Sequence, residues 1–400
     1  MDLISIRQDF PALGEGKIFF DNACSTLRPQ SVIEAVNDYY KLYPTCGGRS
    51  NYAWAQEVTE RCERARQAVA GFLGAKRADE VIFLRNATEG INLVAKSLAL
   101  QEGDAVVISD KEHNSNLLPW LWLQKRQGIK LKIISSNSEG VLNLDELEAA
   151  LKQHSPRLVS LVWTSNIDGV TNPATEIIKL CRQAGALVLL DAAQTALHQK
   201  IEVKKIGADF LVLSGHKLLG PSGIGVLWGR YGLLEELSPF LLGGSTVEDS
   251  SYQDFQLLPP PHKFEAGLQD YAGIIGLGEA VKYLAKIGFK NIKDQEEKIN
   301  QHISQELADL PKLHLIGPSN WRQRGSIFNF YLEGLSHHEI AILLEKESGI
   351  MVRSGQHCVH SWYKSRGIPG SVRASFAFYN TLEEAEIFVS ALKRIYSLIA

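Results

Sequence analysis

Two short apolar runs of this 400-residue chain each end in a charge. Ala186–Leu190 leads into Asp191-Ala192-Ala193-Gln194, and Phe210–Leu213 leads into Ser214-Gly215-His216-Lys217. Apolar runs of four or five residues bounded by turn-formers predict buried strands. In an open α/β sheet, ligands gather beyond the carboxyl ends of the strands, so both charges are expected to open into one crevice. A partly desolvated lysine there forms a Schiff base with an aldehyde, and a carboxylate beside it keeps a pyridine nitrogen protonated. That combination is what pyridoxal phosphate (PLP) requires. The competing reading is of two strand-end charges that merely flank their strands.

Other polar groups fall at the ends of neighbouring apolar runs. Arg85-Asn86-Ala87-Thr88-Glu89-Gly90 follows one run and opens a helical pattern. A hydroxyl and free N–H groups at a helix N-terminus cradle a phosphate; alternatively, Thr88 simply caps the helix with Asn86 in the turn. His113 follows the run Ala105–Ser109, where an imidazole can lie over a planar ring and move protons; a satisfied strand-end histidine is the plainer reading. Asn166 follows Leu158–Trp163 at the same predicted sheet edge. Gly220-Pro221-Ser222-Gly223-Ile224-Gly225 lacks the spacing of a dinucleotide fingerprint and enters a strand, so it is read as a turn that brings Lys217 into the crevice. Further on, Arg353-Ser354-Gly355-Gln356-His357-Cys358 sets a thiol beside a histidine and near an arginine, a setting that favours a reactive cysteine. Adjacent in sequence, His357 and Cys358 need not face each other. Arg373 precedes a strand and is suited to fork onto a carboxylate, with a surface ion pair as the alternative.

The elements that must position these groups alternate. Candidate strands are Val81–Leu84, Ala105–Ser109, Lys130–Ile134, Leu158–Trp163, Ala186–Leu190, Phe210–Leu213 and Gly225–Trp228. Helical patterns fall between them at Gly90–Leu98, Asn116–Gln127, Leu144–Lys152 and Ala174–Gln183. Such alternation predicts a mostly parallel sheet of βαβ units, with one antiparallel neighbour where the last strand directly follows Lys217. A helix is expected over 60–76 and a long one from Ala272 to about Leu307. A smaller α+β unit then follows: strands at Ser326–Tyr331, Met351–Arg353 and Val372–Phe378, and helices at His337–Ser348 and Leu382–Ile399. The fold class is therefore α/β. Residues 16–285 form a large domain, and residues 1–15 with 286–400 form a small one that carries the cysteine loop.

Composition narrows the function. A net charge of −3 offers no basic footprint for nucleic acid. No apolar run reaches the roughly 18 residues of a membrane span, and the N-terminus does not read as a signal peptide, so a cytoplasmic protein is expected. The five cysteines, at 24, 46, 62, 181 and 358, are odd in number and scattered, which argues against a disulfide framework or a zinc site. Apart from Cys358, most are expected to be buried small hydrophobes.

Taken together, Ala87-Thr88-Glu89-Gly90-Ile91-Asn92, Glu112-His113-Asn114-Ser115-Asn116, Asp191-Ala192-Ala193-Gln194, Ser214-Gly215-His216-Lys217-Leu218-Leu219-Gly220 and Arg353-Ser354-Gly355-Gln356-His357-Cys358 carry a resemblance. The chain resembles the class V aminotransferase-like PLP enzymes, and within them the group II (Suf-type) cysteine desulfurases and selenocysteine lyases. The resemblance implies the PLP-dependent transferase fold type I, with a seven-stranded sheet in the large domain. It implies that Lys217 holds PLP and moves the substrate α-proton, that Asp191 pairs with the pyridinium, and that Gln194 bonds the ring hydroxyl. His113 then stacks on the ring, while Thr88, Ser214 and His216 hold the phosphate. Asn166 and Arg373, with Arg353, bind the substrate carboxylate, and Cys358 takes the sulfur. The implied activity converts L-cysteine to L-alanine and leaves a persulfide on Cys358 for a sulfur-acceptor protein of iron–sulfur cluster assembly. The alternative is a selenocysteine or cystine lyase, or another class V enzyme. A homodimer is implied as well. Three positions depart from the family pattern. Leu268 stands where group II members carry a threonine that reaches the partner's phosphate. Asp168 occupies a usually apolar turn near the expected cofactor face. Cys24 replaces a usual alanine and brings a second thiol near the site.

Overall fold

Helices cover both faces of the central sheet, which is why its strands read as continuous apolar runs. In the computed structural model, which describes residues 2–14, 16–48 and 50–399, seven strands of the described chain pair in the order 81–84, 225–229, 210–214, 187–191, 158–162, 105–109 and 130–134. All run parallel except Gly225–Gly229, which is antiparallel to both neighbours. These are the seven predicted strands, displaced by no more than a residue at either end. Alternate side chains point to opposite faces. Val107, Val188, Leu190, Leu211 and Leu213 pack on the side of helices Ala53–Leu73, Ala174–Gln183 and Tyr271–Ile287. Val106, Leu189, Phe210 and Val212 pack on the side of helices Ala87–Ser97 and Asn114–Gln127.

The small unit is a four-stranded antiparallel sheet in the order 313–316, 327–332, 371–375, 353–355. Helices His337–Ser348 and Leu382–Ser397 pack on it, each started by a capping box, Ser336 with Glu339 and Thr381 with Glu384. Ile18–Phe19 pairs in parallel with Ile350–Met351, and Ile18 and Phe20 join this unit's core. Nearer the N-terminus, Phe10 packs against Tyr283 and Tyr379. Of the segment expected over 1–15, Met1 and Glu15 lie outside the described residues.

Several expectations are corrected. The long helix is two, Tyr271–Ile287 and Phe289–Glu306. Gly288 turns the chain between them at φ 80°, ψ 133°, a conformation open to a residue without Cβ. The apolar pattern continues across the break and so conceals it. The strand expected at Met351–Arg353 is two short ones, Ile350–Met351 and Arg353–Gly355. Helix Gln30–Leu42 was not predicted, although its apolar residues do recur at helical spacing; it buries only Val32 and Ala35. Strand Leu313–Ile316 and the hairpin of Val247–Ser250 with Phe255–Leu257 were also missed. Among the described residues, no helix is long and apolar enough to cross a membrane.

Candidate active site

Six parallel strands deliver their carboxyl ends to one edge of the sheet, and a cavity of about 240 Å³ lies there. Asp191 closes its strand and accepts from the Ala193 N–H at 2.9 Å. Ser214 closes the neighbouring strand, and a single 3-10 turn, Gly215–Lys217, carries Lys217 over the edge. The N-terminal stretch pins this turn. Thr26 donates to the His216 carbonyl through both N–H (2.9 Å) and Oγ1 (3.1 Å), and Arg28 Nε donates to the Gly220 carbonyl. Burial is the dominant influence on both charges. It pushes the Asp191 carboxyl up and the Lys217 ammonium down, each opposed by the attraction of the other. The result favours a neutral lysine amine, the form that attacks a carbonyl.

The helix Ala87–Ser97 starts with Asn86, whose Oδ1 accepts from the Glu89 N–H at 3.0 Å. Asn86 is thus the cap, which leaves Thr88 free for other work. The Ala87 N–H donates to Ser214 Oγ at 2.9 Å, tying the helix start to the lysine strand. Gly225 makes this approach possible, since a Cβ there would lie 2.5 Å from Asn86 Cα. Thr88 Oγ1 lies 2.7 Å from Ser115 Oγ, which lies 2.9 Å from His113 Nδ1. The hydroxyl of Ser115 therefore joins the helix start to the imidazole. Burial and the charge on Lys217 push His113 down to about 3, and burial with Lys217 and Arg28 pushes His216 down to about 4, so both rings are neutral near pH 7.

The small unit supplies the opposite wall. Arg353 and Arg373 are directly opposed on paired antiparallel strands. Asp21 lies between them, 3.4 Å from Arg373 Nη2 and 3.6 Å from Arg353 Nη1. Arg373 Nη1 donates to the Asn166 carbonyl at 2.9 Å, and Asn166 Nδ2 donates to the His357 carbonyl at 2.9 Å. Asn166 thus ties the arginine to the cysteine loop. His357 and Cys358 both occupy the left-handed region, at φ 49° and 58°, an unfavourable backbone held by the Asn166 contact and by the Asn114 N–H on the Cys358 carbonyl (2.8 Å). The His357 ring turns to Ser371 Oγ, 2.9 Å from Nε2, and burial pushes it down to about 2.

All eleven residues singled out in the sequence line this cavity: Thr88, His113, Asn166, Asp191, Gln194, Ser214, His216, Lys217, Arg353, Cys358 and Arg373. PLP fits them. The buried Asp191 carboxylate has one N–H donor and suits a pyridinium. The Thr88 hydroxyl, Ser214 and His216 suit a phosphate. Among the described residues, Asn166 Oδ1 and Arg373 Nε are buried without a partner, which suits a polar ligand that completes them.

Reasoning from sequence overlooked Asp21, Ser115 and Glu112 as contributors. Glu112 is buried and accepts from Ser109 Oγ and from the Val162 N–H at 3.0 and 2.9 Å, which braces the His113 turn across two strands. Asp21 follows the apolar Ile18–Phe20 as a strand-end carboxylate, the signal already used for Asp191. Asp168 does not line the cavity; it forms a buried ion pair with Lys111. Leu268 is exposed and outside the cavity lining. Of the cysteines, only Cys62 and Cys181 are buried; Cys46 is exposed, and Cys24 shares the cavity with Cys358.

Residues 18–388 match the aminotransferase class-V family. A probable cysteine desulfurase of Streptomyces coelicolor is 38% identical over 408 residues, covering 99% of this chain and 97% of the relative. The apo structure of a cysteine desulfurase from Thermococcus onnurineus NA1 superposes with a TM-score of 0.94 at 38% identity, covering 98% of each chain. The Escherichia coli cysteine desulfurase CsdA, solved as an S-sulfonic acid, gives 0.92 at 34% identity over 100% of this chain and 99% of that one.

Proposed function

The chain belongs to the aminotransferase class-V family, and from that premise we propose that it is a PLP-dependent cysteine desulfurase that turns L-cysteine into L-alanine and leaves a persulfide on Cys358. One observation carries this reading. The Lys217–Asp191 pair, the Arg353–Arg373 pair and the Cys358 thiol, contributed by two different sheets, line a single cavity.

Lys217 would anchor PLP, Asp191 would keep its pyridine nitrogen protonated, Gln194 would bond its ring hydroxyl and His113 would cover its ring, while Thr88, Ser214 and His216 would hold the phosphate. When bound, PLP supplies an electron sink that labilises the substrate α-proton and weakens the Cβ–S bond. Arg373 and Arg353, with Asn166, take the substrate carboxylate and so fix which way the thiol points. Lys217 Nζ, driven toward its neutral form by burial, accepts the proton from Cα. Cys358 Sγ attacks the substrate sulfur: the S–S bond forms, the substrate Cβ–S bond breaks, and a returned proton completes alanine. The strained loop holds Cys358 in place for that attack. Neutral His113 and His216 add no positive charge that would compete with the pyridinium for Asp191.

The sulfur then passes to an acceptor protein of iron–sulfur cluster assembly in the cytoplasm. The working form is a homodimer of 44.3 kDa chains, a reading supported by exposed Tyr40, Leu42, Tyr52, Trp54 and Trp122. The decisive experiment incubates purified holoprotein with L-cysteine and a reductant and measures alanine and sulfide together. Equal release of both is expected, with loss in Cys358→Ala while the PLP absorbance remains. PLP absorbance with no alanine from L-cysteine overturns the assignment, and release from L-selenocysteine alone points to the lyase alternative.

A further inference from the structure

Two thiols, not one, face the cavity. Cys24 Sγ accepts from Arg353 Nη1 at 2.7 Å, and Cys24 and Cys358 both line the same 240 Å³ space. Neither is on a loose segment. The Cys24 N–H donates to the Asp21 carbonyl at 3.1 Å, and its neighbour Ala23 is held on both sides, N–H to Ser375 Oγ at 2.9 Å and carbonyl to Gln194 Nε2 at 2.7 Å. Cys62 and Cys181, by contrast, are buried among apolar residues, and burial pushes both thiols up to about 12. Beside Cys24 the cavity also holds three buried polar atoms without partners among the described residues, Asn166 Oδ1, His357 Nδ1 and Arg373 Nε, which mark the space as one built to receive a ligand. A fixed thiol with a guanidinium at its sulfur, opening on the space where a neighbouring thiol carries sulfur, is placed for sulfur exchange.

We propose that Cys24 is a second sulfur-accepting thiol, which takes the outer sulfur of the Cys358 persulfide within the same cavity. The inference rests on the desulfurase reading. In the exchange, the Cys24 thiolate attacks the outer sulfur of Cys358–S–SH. A Cys24 Sγ–S bond forms, the Cys358 Sγ–S bond breaks, and Cys358 leaves as a thiolate that takes up the proton given by Cys24. One S–S bond replaces another, so no oxidant or reductant is consumed. Cys358 is thereby freed for a second turnover before any acceptor protein arrives, and one chain holds two transferable sulfurs.

The test mixes holoprotein with two equivalents of L-cysteine per chain and no reductant, quenches with an alkylating reagent, counts alanine, and locates the extra sulfur by peptide mass spectrometry. The wild type is expected to form about two alanines per chain and to carry sulfur on both the Cys24 and the Cys358 peptides. Cys24→Ser and Cys24→Ala, checked for folding by PLP absorbance and melting temperature, are expected to halve the alanine burst and carry sulfur on Cys358 alone. Cys358→Ser is expected to carry it on neither. One alanine per wild-type chain with sulfur only on Cys358 overturns the relay and leaves the desulfurase reading standing. Sulfur on Cys24 in Cys358→Ser also overturns it. No alanine from any form overturns the desulfurase reading and the relay with it.

Discussion

Arg353 and Arg373 stand directly opposite each other across a strand pair, an arrangement that repels. Asp21 moderates the repulsion, but burial pushes its carboxyl up and burial weakens the Arg373 cation, so the three groups remain short of a balancing anion. In the proposed reaction a substrate carboxylate supplies it. Arg373 is the more demanding member, because it is 2% exposed and its planar fork spans Asn166 and Asp21. Lysine, whose donors all sit on one nitrogen, cannot span that fork. Arg373→Lys is therefore expected to lower kcat/KM for L-cysteine roughly 10- to 100-fold, the equivalent of losing one charged hydrogen bond of about 1.5–3 kcal/mol. The loss should fall mainly on KM with PLP absorbance retained, as steady-state kinetics will show; an unchanged KM contradicts the assignment. Sequence alone left Arg373 undecided between this role and a surface ion pair. Its burial, which no spacing rule reveals, is what supports the first.

At the scale of elements, the groups proposed to hold the phosphate depend on a helix start pressed against two strands. The Ala87–Ser97 helix sits close because Gly90 and Gly225 carry no Cβ: one at Gly90 would meet Val212 Cγ1 at 2.7 Å, and one at Gly225 would meet backbone atoms of Asn86. A side chain such as Val212 has some room to yield, whereas the Asn86 backbone would have to move with the cap itself. Gly225→Ala is expected to cost about 1–3 kcal/mol of stability, as overpacking does, and to shift Thr88 away from Ser214. Denaturant unfolding and retention of PLP on gel filtration will measure both effects; loss of stability with full PLP retention contradicts the link between this contact and the cradle. The motif around Thr88 was legible in the sequence, but it was ambiguous between a cap and a cradle. The structure assigns the cap to Asn86, since only three-dimensional placement shows which side chain reaches the Glu89 N–H.

Across the whole molecule, the site joins one wall from the seven-stranded sheet to another from the four-stranded sheet, and Asn329 Nδ2 of the small unit donates to the Ile167 carbonyl of the large one. Burying three imidazoles near this junction has a consequence for stability. His113, His216 and His357 are held at about 3, 4 and 2, below the ordinary 6.5, chiefly by burial. A depressed histidine binds its proton first in the unfolded chain, so its stabilising contribution is complete above pH 6.5 and is lost as pH falls below it, by about 1.4 kcal/mol per pH unit for a fully buried ring. Glu112 acts in the opposite sense. Its carboxyl is raised by burial to about 7, so it favours the fold below its ordinary 4.5 and loses that contribution as pH rises through 7. Asp21, Asp191, Asp209 and Glu296 are raised by burial too and act with Glu112, so the histidine share is read as a difference between variants. The melting temperature of His357→Gln is expected to fall less steeply than that of the wild type between pH 7 and pH 5. Calorimetry of both across that range checks it; equal slopes contradict a neutral, buried His357.

Local chemistry in the sequence determined a great deal here. The apolar runs specified six of the seven strands of the large sheet, because strands buried on both faces must be apolar throughout; Lys130–Ile134 is a largely exposed edge strand that carries two lysines. The residues at their carboxyl ends marked the site, because parallel strands open their ends to one edge. Only tertiary structure decided the rest. It put Asp168 into an ion pair with Lys111 away from the cavity, made Asp21 the carboxylate between two arginines 332 and 352 residues further along, and set Cys24 opposite Arg353. The physical reason is common to all three: each depends on which distant backbone comes close, and periodicity and spacing carry information only about neighbours along the chain.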